Sequence, residues 1–259
     1  MLNDVINQLM SRRSVRAYQD TKISEKTLNT IKAAIVRAPT AGNMCFYSVI
    51  IVKDNYKKKA LSVLCDEQPM IATAPLVMVF LADIQKHYDY MKLSESDKKT
   101  GIDFPSPGLG DFHLAMQDSI VAAQTAVVAA DSLGLGSVYI GDIIENSEKI
   151  QELFNLPKYA VPSCMIIMGY PKNIDKNIKL VERCKTESIF MEDSYERKTK
   201  KMFDEEWNNP LNNALKSRKV DFDNPTYLDL FYKKKFTSSF MKEMNRSVQV
   251  FLDNWMDKN

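Results

Sequence analysis

The sequence predicts an α+β fold, because strand-sized apolar runs and helical patterns occur in the same chain. Two runs, Tyr47 to Val52 and Leu76 to Leu81, have the length and composition of buried strands. A third observation is the long stretch from Leu114 to Leu133, which is small or apolar almost all round. Such a helix is expected in a core or at a subunit interface.

The remaining N-terminal elements follow from local patterns. Val5, Leu9 and Met10 predict a short helix before residue 12. Thr27 to Val36 predicts an amphipathic helix, with Ser24 as its N-cap.

The region from Tyr88 to Asp111 is polar and then rich in proline and glycine. This composition predicts a mobile lid over a pocket. His113 follows the lid, and two interpretations remain open for it: contact with a substrate, or a local hydrogen bond at a helix start.

The segment from Gly134 to Pro171 is the most informative for function. Three of the eight glycines in the chain lie between Gly134 and Gly141. The clustering predicts a backbone that closely approaches something flat or charged, such as a cofactor; a helix C-cap followed by a tight turn is the alternative. The spacing differs from G-x-G-x-x-G and follows a helix instead of preceding one, which argues against a Rossmann dinucleotide fold.

The rest of this segment predicts a strand at Ser137 to Ile140, an amphipathic helix from Ile143 to Leu156 and a buried strand at Cys164 to Met168.

A basic cluster lies near the N-terminus, where Arg12, Arg13 and Arg16 surround Ser14. Guanidinium groups bind phosphate in a bidentate manner, and the hydroxyl adds a donor. A solvated basic turn is the alternative. The net charge of +2 and the absence of interleaved aromatic residues argue against a nucleic-acid partner.

These landmarks resemble those of the FMN-dependent nitroreductase family, and they occur in the same order. The resemblance covers Leu2 to Tyr195 and includes Arg12 to Arg16, Ala38 to Asn43, Ala115 to Asp118, Gly134 to Gly141, Leu156-Pro157 and Gly169 to Pro171. It implies a nitroreductase-like α/β/α sandwich with a central mixed, largely antiparallel sheet. It also implies an intertwined homodimer with FMN at the subunit interface.

The resemblance further implies which residues hold FMN. Thr40 would reach the flavin of the opposite subunit with Asn43 close by, and Gln68 would bind the pyrimidine edge. Arg183 would be a second phosphate ligand, with Lys179 as its partner. The N-terminal contacts to phosphate, ribityl chain and pyrimidine are Arg12, Arg13, Ser14 and Arg16, and the isoalloxazine would be lined by Tyr139, Ile140, Gly141 and Asp142.

The chain departs from the family pattern at two places. Relatives often have Lys-Pro-Arg where this sequence has Lys179-Leu-Val-Glu-Arg183. Many relatives have Gln-Pro-Trp or a similar polar pair where this sequence has Met44-Cys45-Phe46. The second departure bears on the choice of substrate.

The sequence after Tyr195 differs in character, since residues 197–259 contain no glycine and both tryptophans. We therefore predict an FMN-binding domain over residues 1–195 and a helical extension over 196–259 that packs on the core or on the partner subunit. Apolar residues from Phe240 to Trp255 predict an amphipathic helix. A membrane-surface helix is the alternative, and Glu243, Asp253 and Asp257 argue against it.

Other function classes lack their sequence signals. The chain has no G-x-S-x-G, H-E-x-x-H or Walker motif, and its four cysteines form no C-x-x-C pair. No metal site, disulfide framework, membrane partner or signal peptide is expected, and the sequence favours a reducing cytoplasm.

The expected function is reduction of nitroaromatic, quinone or related small-molecule acceptors with NAD(P)H through bound FMN. We assign no catalytic side chain, because the flavin carries the electron chemistry. Two alternatives remain open: a reductive dehalogenase-like or flavin-destroying enzyme, and a flavin-binding or regulatory protein with little turnover.

Overall fold

An antiparallel sheet of four strands forms the centre of this protein's first structural unit. The computed structural model describes residues 3–173, 180–212 and 225–257. The first unit comprises Met1–Ile174 and Glu243–Asn259, and the second comprises Asp175–Lys242. The predicted division after residue 195 stays a prediction.

The strand order is β1-β2-β4-β3, and each neighbouring pair is antiparallel. An isolated parallel bridge joins Ser14 to Ser137 on the open side of β3. The sheet is thus largely antiparallel with one parallel contact, as the sequence predicts. The strands are β1 Tyr47–Ile51, β2 Leu76–Asp83, β3 Gly136–Ile140 and β4 Ala160–Gly169.

Helices cover both faces of the sheet, which confirms the α/β/α sandwich. Helices α2 and α7 contribute to one buried cluster, while α3, α4 and α8 contribute to the other. The helices of the first unit before its C-terminal part are α1 Asp4–Ser11, α2 Glu25–Val36, α3 Asn55–Leu64, α4 Pro69–Thr73, α5 Gln85–Leu93, α6 Ser96–Thr100, α7 Leu109–Ser132 and α8 Ser147–Phe154. The remaining helices are α9 Lys200–Phe203, α10 Asn209–Leu211, α11 Tyr227–Phe231 and α12 Ser239–Trp255.

Successive side chains of a strand point to opposite faces of the sheet, so the central strands contribute to the buried clusters on both faces. Met78 and Phe80 of β2 face the cluster with α7, whereas Val77 and Val79 face the other cluster. Both β2 and β4 are buried along their whole lengths. The runs predicted at Leu76 to Leu81 and Cys164 to Met168 are therefore the buried central strands. The run at Tyr47 forms strand β1 as predicted, but only Tyr47 of this strand is buried and Ser48–Ile51 are half-buried, because β1 is at the edge of the sheet.

Helix α7 is longer than the sequence pattern predicts, because it begins at Leu109 instead of Leu114. Asp111 accepts a hydrogen bond from the Gly108 backbone N–H at 2.8 Å, which stabilises the earlier start. Its alanines at 122, 123, 126 and 130 are fully buried, so the backbone lies close to the sheet. The region predicted as a lid, Tyr88 to Asp111, contains most of α5, all of α6 and the start of α7. Residues 101–108 connect α6 to α7.

The C-terminal part of α12 completes the first unit. Trp255 is 1% exposed and packs in a third cluster with Ala115 and Tyr159. Its indole N–H donates to the Gly108 carbonyl at 3.2 Å. Nearer the start of the helix, Arg246 makes paired hydrogen bonds of 2.7 and 2.9 Å to Glu148. Among the described helices, none combines the length and the apolar content that a membrane span needs.

Candidate functional site

The arginine-rich segment after α1 lies along the open edge of β3. The Val15 N–H donates to the Ser137 carbonyl at 2.9 Å, next to the parallel bridge of Ser14. Further on, the Gln19 N–H donates to the Tyr170 carbonyl at 2.8 Å, and the Lys172 N–H donates to the Ala17 carbonyl at 3.0 Å. Backbone hydrogen bonds at Val15, Ala17 and Gln19 thus hold residues 12–19, which we name the arginine segment, at this edge. The segment carries the predicted ligands Arg12, Arg13, Ser14 and Arg16.

The Tyr18 side chain also links this segment to the sheet. Its hydroxyl lies 2.6 Å from the Val15 carbonyl and 3.1 Å from the Ile167 carbonyl, so it links the segment to β4. Burial raises the pKa of this hydroxyl, and the charge of Arg16 partly opposes the shift. The group therefore stays a neutral donor at physiological pH.

Two glycines allow the segment to lie this close. A Cβ on Gly136 would be 2.6 Å from the Cβ of Val15, and one on Gly169 would be 2.9 Å from the Cβ of Tyr18. Gly134 has φ +77° just after α7, so it ends this helix, as the alternative interpretation of a C-cap predicts. Packing of the arginine segment therefore explains one member of the glycine cluster, and a helix end explains another.

Arg12 lies beside β3 and the end of α7. Burial raises the pKa of Tyr139 and of Asp131, and the charge of Arg12 partly opposes both increases. The Tyr139 hydroxyl donates to the Gln124 side chain at 3.2 Å. The charge of Arg12 thus reaches Tyr139, although the two residues are far apart in sequence.

None of the four predicted N-terminal ligands is fully buried. Arg12 and Arg13 are half-buried, whereas Ser14 and Arg16 are exposed. A half-buried arginine retains donors for a ligand while its carbon chain is held by packing.

The end of β3 forms an open backbone ledge. Ile140 is 1% exposed, so its side chain belongs to the core. Gly141 begins a short 3-10 helix, Gly141–Ile144, and a Cβ built on it would meet no heavy atom within 4 Å. Asp142 is half-buried in the same turn. A flat ligand can approach the backbone at Gly141, while Ile140 would contribute through its backbone alone.

A second element with predicted ligands is the loop of residues 40–46, which we name the 40–46 loop. It is organised by Asp118 of α7, a carboxylate that is 5% exposed. Asp118 accepts hydrogen bonds from the Thr40 hydroxyl, from the Ala41 N–H at 2.9 Å and from the Phe46 N–H at 3.1 Å. The Thr40 hydroxyl in turn accepts from the Cys45 N–H at 2.8 Å.

The same loop contains backbone conformations that need such support. Gly42 (φ 54°), Asn43 (φ 58°) and Cys45 (φ 52°) are all left-handed. Non-glycine residues in this region are strained unless their surroundings hold them. Asp118 lies in one of the landmarks shared with the family, but no local pattern in the sequence predicts that it holds this loop. A carboxylate on the buried face of an otherwise small and apolar helix is the signal that points to it.

Gln68 is used locally in the structure. It precedes α4, and its side-chain amide donates to the Cys65 carbonyl at 2.9 Å. Asp66 and Glu67 immediately before it both have positive φ, 57° and 51°. The predicted contact of Gln68 with the pyrimidine edge stays a prediction.

The predicted second phosphate site lies in the other unit. Arg183 is exposed there, in a stretch without regular secondary structure. Lys179 lies outside the described residues. Both assignments stay predictions.

Comparison with known proteins agrees with this geometry. The model of the nitroreductase family matches residues 9–170. The FMN reductase [NAD(P)H] of Bacillus subtilis is 35% identical over 170 residues, which cover 66% of this chain and 67% of the relative. The oxygen-insensitive NADPH nitroreductase of Salmonella typhimurium is 29% identical and covers 75% and 76% of the two chains.

A solved structure gives the same result for the fold. B. megaterium NfrA2 superposes with a TM-score of 0.78 at 26% identity, over 95% of this chain and 98% of that chain. The sandwich and the arginine segment at its sheet edge thus define a protein of the nitroreductase fold. The chain belongs to the nitroreductase family.

Proposed function

We propose that this protein is an FMN-dependent oxidoreductase that uses NAD(P)H to reduce nitroaromatic, quinone or related acceptors. The observation that carries the proposal is the pairing of the arginine-rich segment with β3, where the Val15 N–H donates to the Ser137 carbonyl at 2.9 Å beside the bridge of Ser14. Relatives of this chain are named FMN reductase and nitroreductase, which supports the same assignment.

The residues at this edge fit FMN chemically. FMN has one terminal phosphate, and guanidinium groups with a serine hydroxyl are suitable donors for it. Its ring system is flat, and the open backbone at Gly141 can approach such a surface. Bound there, the flavin would accept a hydride from the nicotinamide and pass electrons to the acceptor.

The side chains of this chain have positioning and electrostatic roles. Arg12, Arg13, Ser14 and Arg16 hold the phosphate and the polar edge of the cofactor. Tyr18 keeps their backbone in place through its hydrogen bonds to the Val15 and Ile167 carbonyls. The family pattern assigns Arg183, with Lys179 as its partner, as a second ligand of the phosphate, and this assignment stays a prediction. Gln68 is the proposed ligand of the pyrimidine edge.

We further propose a homodimer with FMN at the subunit interface. Helix α1 has no buried residue, and its Leu9 and Met10 are 46% and 68% exposed. Helix α7 likewise exposes Ile120 and Val121 at 42% and 39%. Apolar side chains on such neighbouring helices favour an association surface. The 40–46 loop would then present Thr40 and Asn43 to the flavin of the partner.

The free state of all four cysteines supports a reducing cytoplasm as the location.

The test is the absorption spectrum of the purified protein, followed by anaerobic addition of NADH or NADPH. We expect a bound flavin that bleaches on addition and recovers when an acceptor such as a quinone is added. Mass spectrometry of the released cofactor should give FMN. Release of FAD alone, or a folded protein whose flavin is not reduced by either nicotinamide, would overturn the proposal. Sedimentation of the FMN-bound protein as a monomer at micromolar concentration would overturn the dimer.

A further inference from the structure

A cavity of about 340 Å³ lies beside the 40–46 loop. Its wall is formed by that loop, by helices α5 and α6, by residues 102–107 and by the start of α7, all in the first unit. Ligand pockets range upwards from about 300 Å³, so this volume suits a ligand the size of one or two aromatic rings. The apolar lining includes Phe46, Tyr88, Met91, Ile102 and Phe104.

His87 is the polar side chain in this wall whose hydrogen bonding the fold leaves incomplete. Its Nδ1 is buried and has no hydrogen-bond partner. The ring is held against Phe46 in an edge-to-face contact, with centroids 5.1 Å apart and planes at 77°. Buried polar atoms without partners are rare in proteins, so this one requires an explanation.

The burial of Nδ1 determines where the proton of the neutral ring lies. A proton on Nδ1 would place a buried N–H beside no acceptor, which costs more than an unused lone pair at the same atom. The proton therefore belongs on Nε2. The ring lines the cavity, and no hydrogen bond joins Nε2 to another described residue, so the Nε2–H remains available as a donor there.

Among the described residues, the charged ones that line the cavity are three aspartates, Asp97, Asp103 and Asp111. Lys92 does not line it, but its ammonium lies over the rings of Tyr88 and Phe104, 4.3 and 5.8 Å from their centroids. Three negative charges thus stand against this one positive charge. Asp111 is also tied to the start of α7 through the Gly108 N–H. Carboxylates that line a cavity repel an anionic ligand more than a neutral one of the same shape.

We propose that this cavity binds the electron acceptor and selects a neutral aromatic acceptor over an anionic one of the same shape. The inference rests on the proposed function, since the cavity borders the loop whose Thr40 and Asn43 are assigned to the flavin. The N–H of His87 donates to a carbonyl, amide or nitro oxygen of the acceptor. Phe46 and Tyr88 contact its ring, and the three aspartates disfavour a carboxylate.

The test uses the oxidised FMN-bound protein without NAD(P)H, so that binding is measured without reduction. Calorimetry would give dissociation constants for 4-nitrobenzamide and 4-nitrobenzoate, which match in shape and differ by one charge. We expect the amide to bind about 5-fold more tightly.

Three variants test the residues of the wall. His87→Leu should weaken binding of the amide about 5-fold, and His87→Gln, which keeps an N–H donor, should restore most of the loss. Asp103→Asn should strengthen binding of the benzoate about 3-fold and leave the amide unchanged.

The control is Asp89→Asn, which removes a charge from an exposed position of α5 that does not line the cavity. It should leave the ratio of the two dissociation constants unchanged. Equal affinities of the wild type for both ligands, or unchanged binding in His87→Leu with a normal flavin spectrum, would overturn the inference.

Anaerobic reduction of the flavin by NADPH separates this failure from failure of the proposed function. If NADPH reduces the flavin normally but the variants bind both ligands as the wild type does, only the cavity assignment is wrong. If NADPH does not reduce the flavin of the wild type, the proposed oxidoreductase function is wrong. The calorimetric titration then still shows whether the cavity selects neutral ligands.

Discussion

The arginine segment and the 40–46 loop both carry predicted flavin ligands, but the fold holds them in different ways. The segment is fixed at several points by backbone hydrogen bonds to β3 and to the residues after β4. The loop depends on one side chain, because Asp118 accepts from three of its groups. A structure held by many backbone bonds tolerates the loss of one side-chain hydrogen bond, whereas one held by a single carboxylate does not.

The largest expected effect is at that carboxylate. Asp118→Ala leaves two backbone N–H groups and a hydroxyl without their acceptor in a buried site, and should cost about 4 kcal/mol of unfolding free energy. Asp118→Asn keeps the volume but has one accepting oxygen, so it should cost about half as much. Urea denaturation of both variants measures the difference. An Asp118→Asn protein as stable as the wild type would show that the loop does not depend on this carboxylate.

The next effect tests the close approach of the arginine segment. A methyl group on Gly136 would collide with Val15, whose β-branched side chain has little freedom to move. Gly136→Ala should therefore cost about 3 kcal/mol and weaken FMN binding, as thermal unfolding with and without added FMN would show. Gly110→Ala is the matched control in α7, since a Cβ there meets nothing within 4 Å and the helix should gain slightly. Equal behaviour of the two variants would contradict the packing.

The third prediction compares the two units. If Arg16 and Arg183 both bind the phosphate, alanine at either position removes a charge-assisted hydrogen bond worth about 2 kcal/mol, hence on the order of 30-fold in FMN affinity. The stability of the flavin-free protein should change by less than about 0.5 kcal/mol, because both side chains are exposed. Equilibrium dialysis of FMN gives the affinities. An unchanged dissociation constant for Arg183→Ala would assign the phosphate to the N-terminal arginines alone.

The smallest effect is expected at Tyr18, whose hydroxyl links the arginine segment to β4. Tyr18→Phe removes the hydroxyl that links Val15 to Ile167 but leaves the backbone bonds of the segment intact. We expect a loss of about 1 kcal/mol in stability and little change in FMN affinity. A loss as large as that of Asp118→Ala would mean that the segment, like the loop, depends on one side chain.

Local patterns in the sequence determined most of the elements. The apolar runs of β2 and β4 are buried strands because their side chains must be covered on both faces. Ser24 is the N-cap of α2 as predicted, since its hydroxyl accepts from the Thr27 N–H at 3.1 Å. The small residues of α7 required a buried helix, and the order of the family landmarks gave the nitroreductase assignment.

Contacts between distant residues were decided by the tertiary structure alone. Asp118 meets residues of the 40–46 loop, and Gly136 meets Val15, across separations that no local pattern spans. Gln68 instead bonds within its own turn. Periodicity reports whether a residue is buried, because burial follows from the face of its helix or strand. Which partner a buried polar group finds depends on how the elements pack, and that is settled only when the sheet and its helices have assembled.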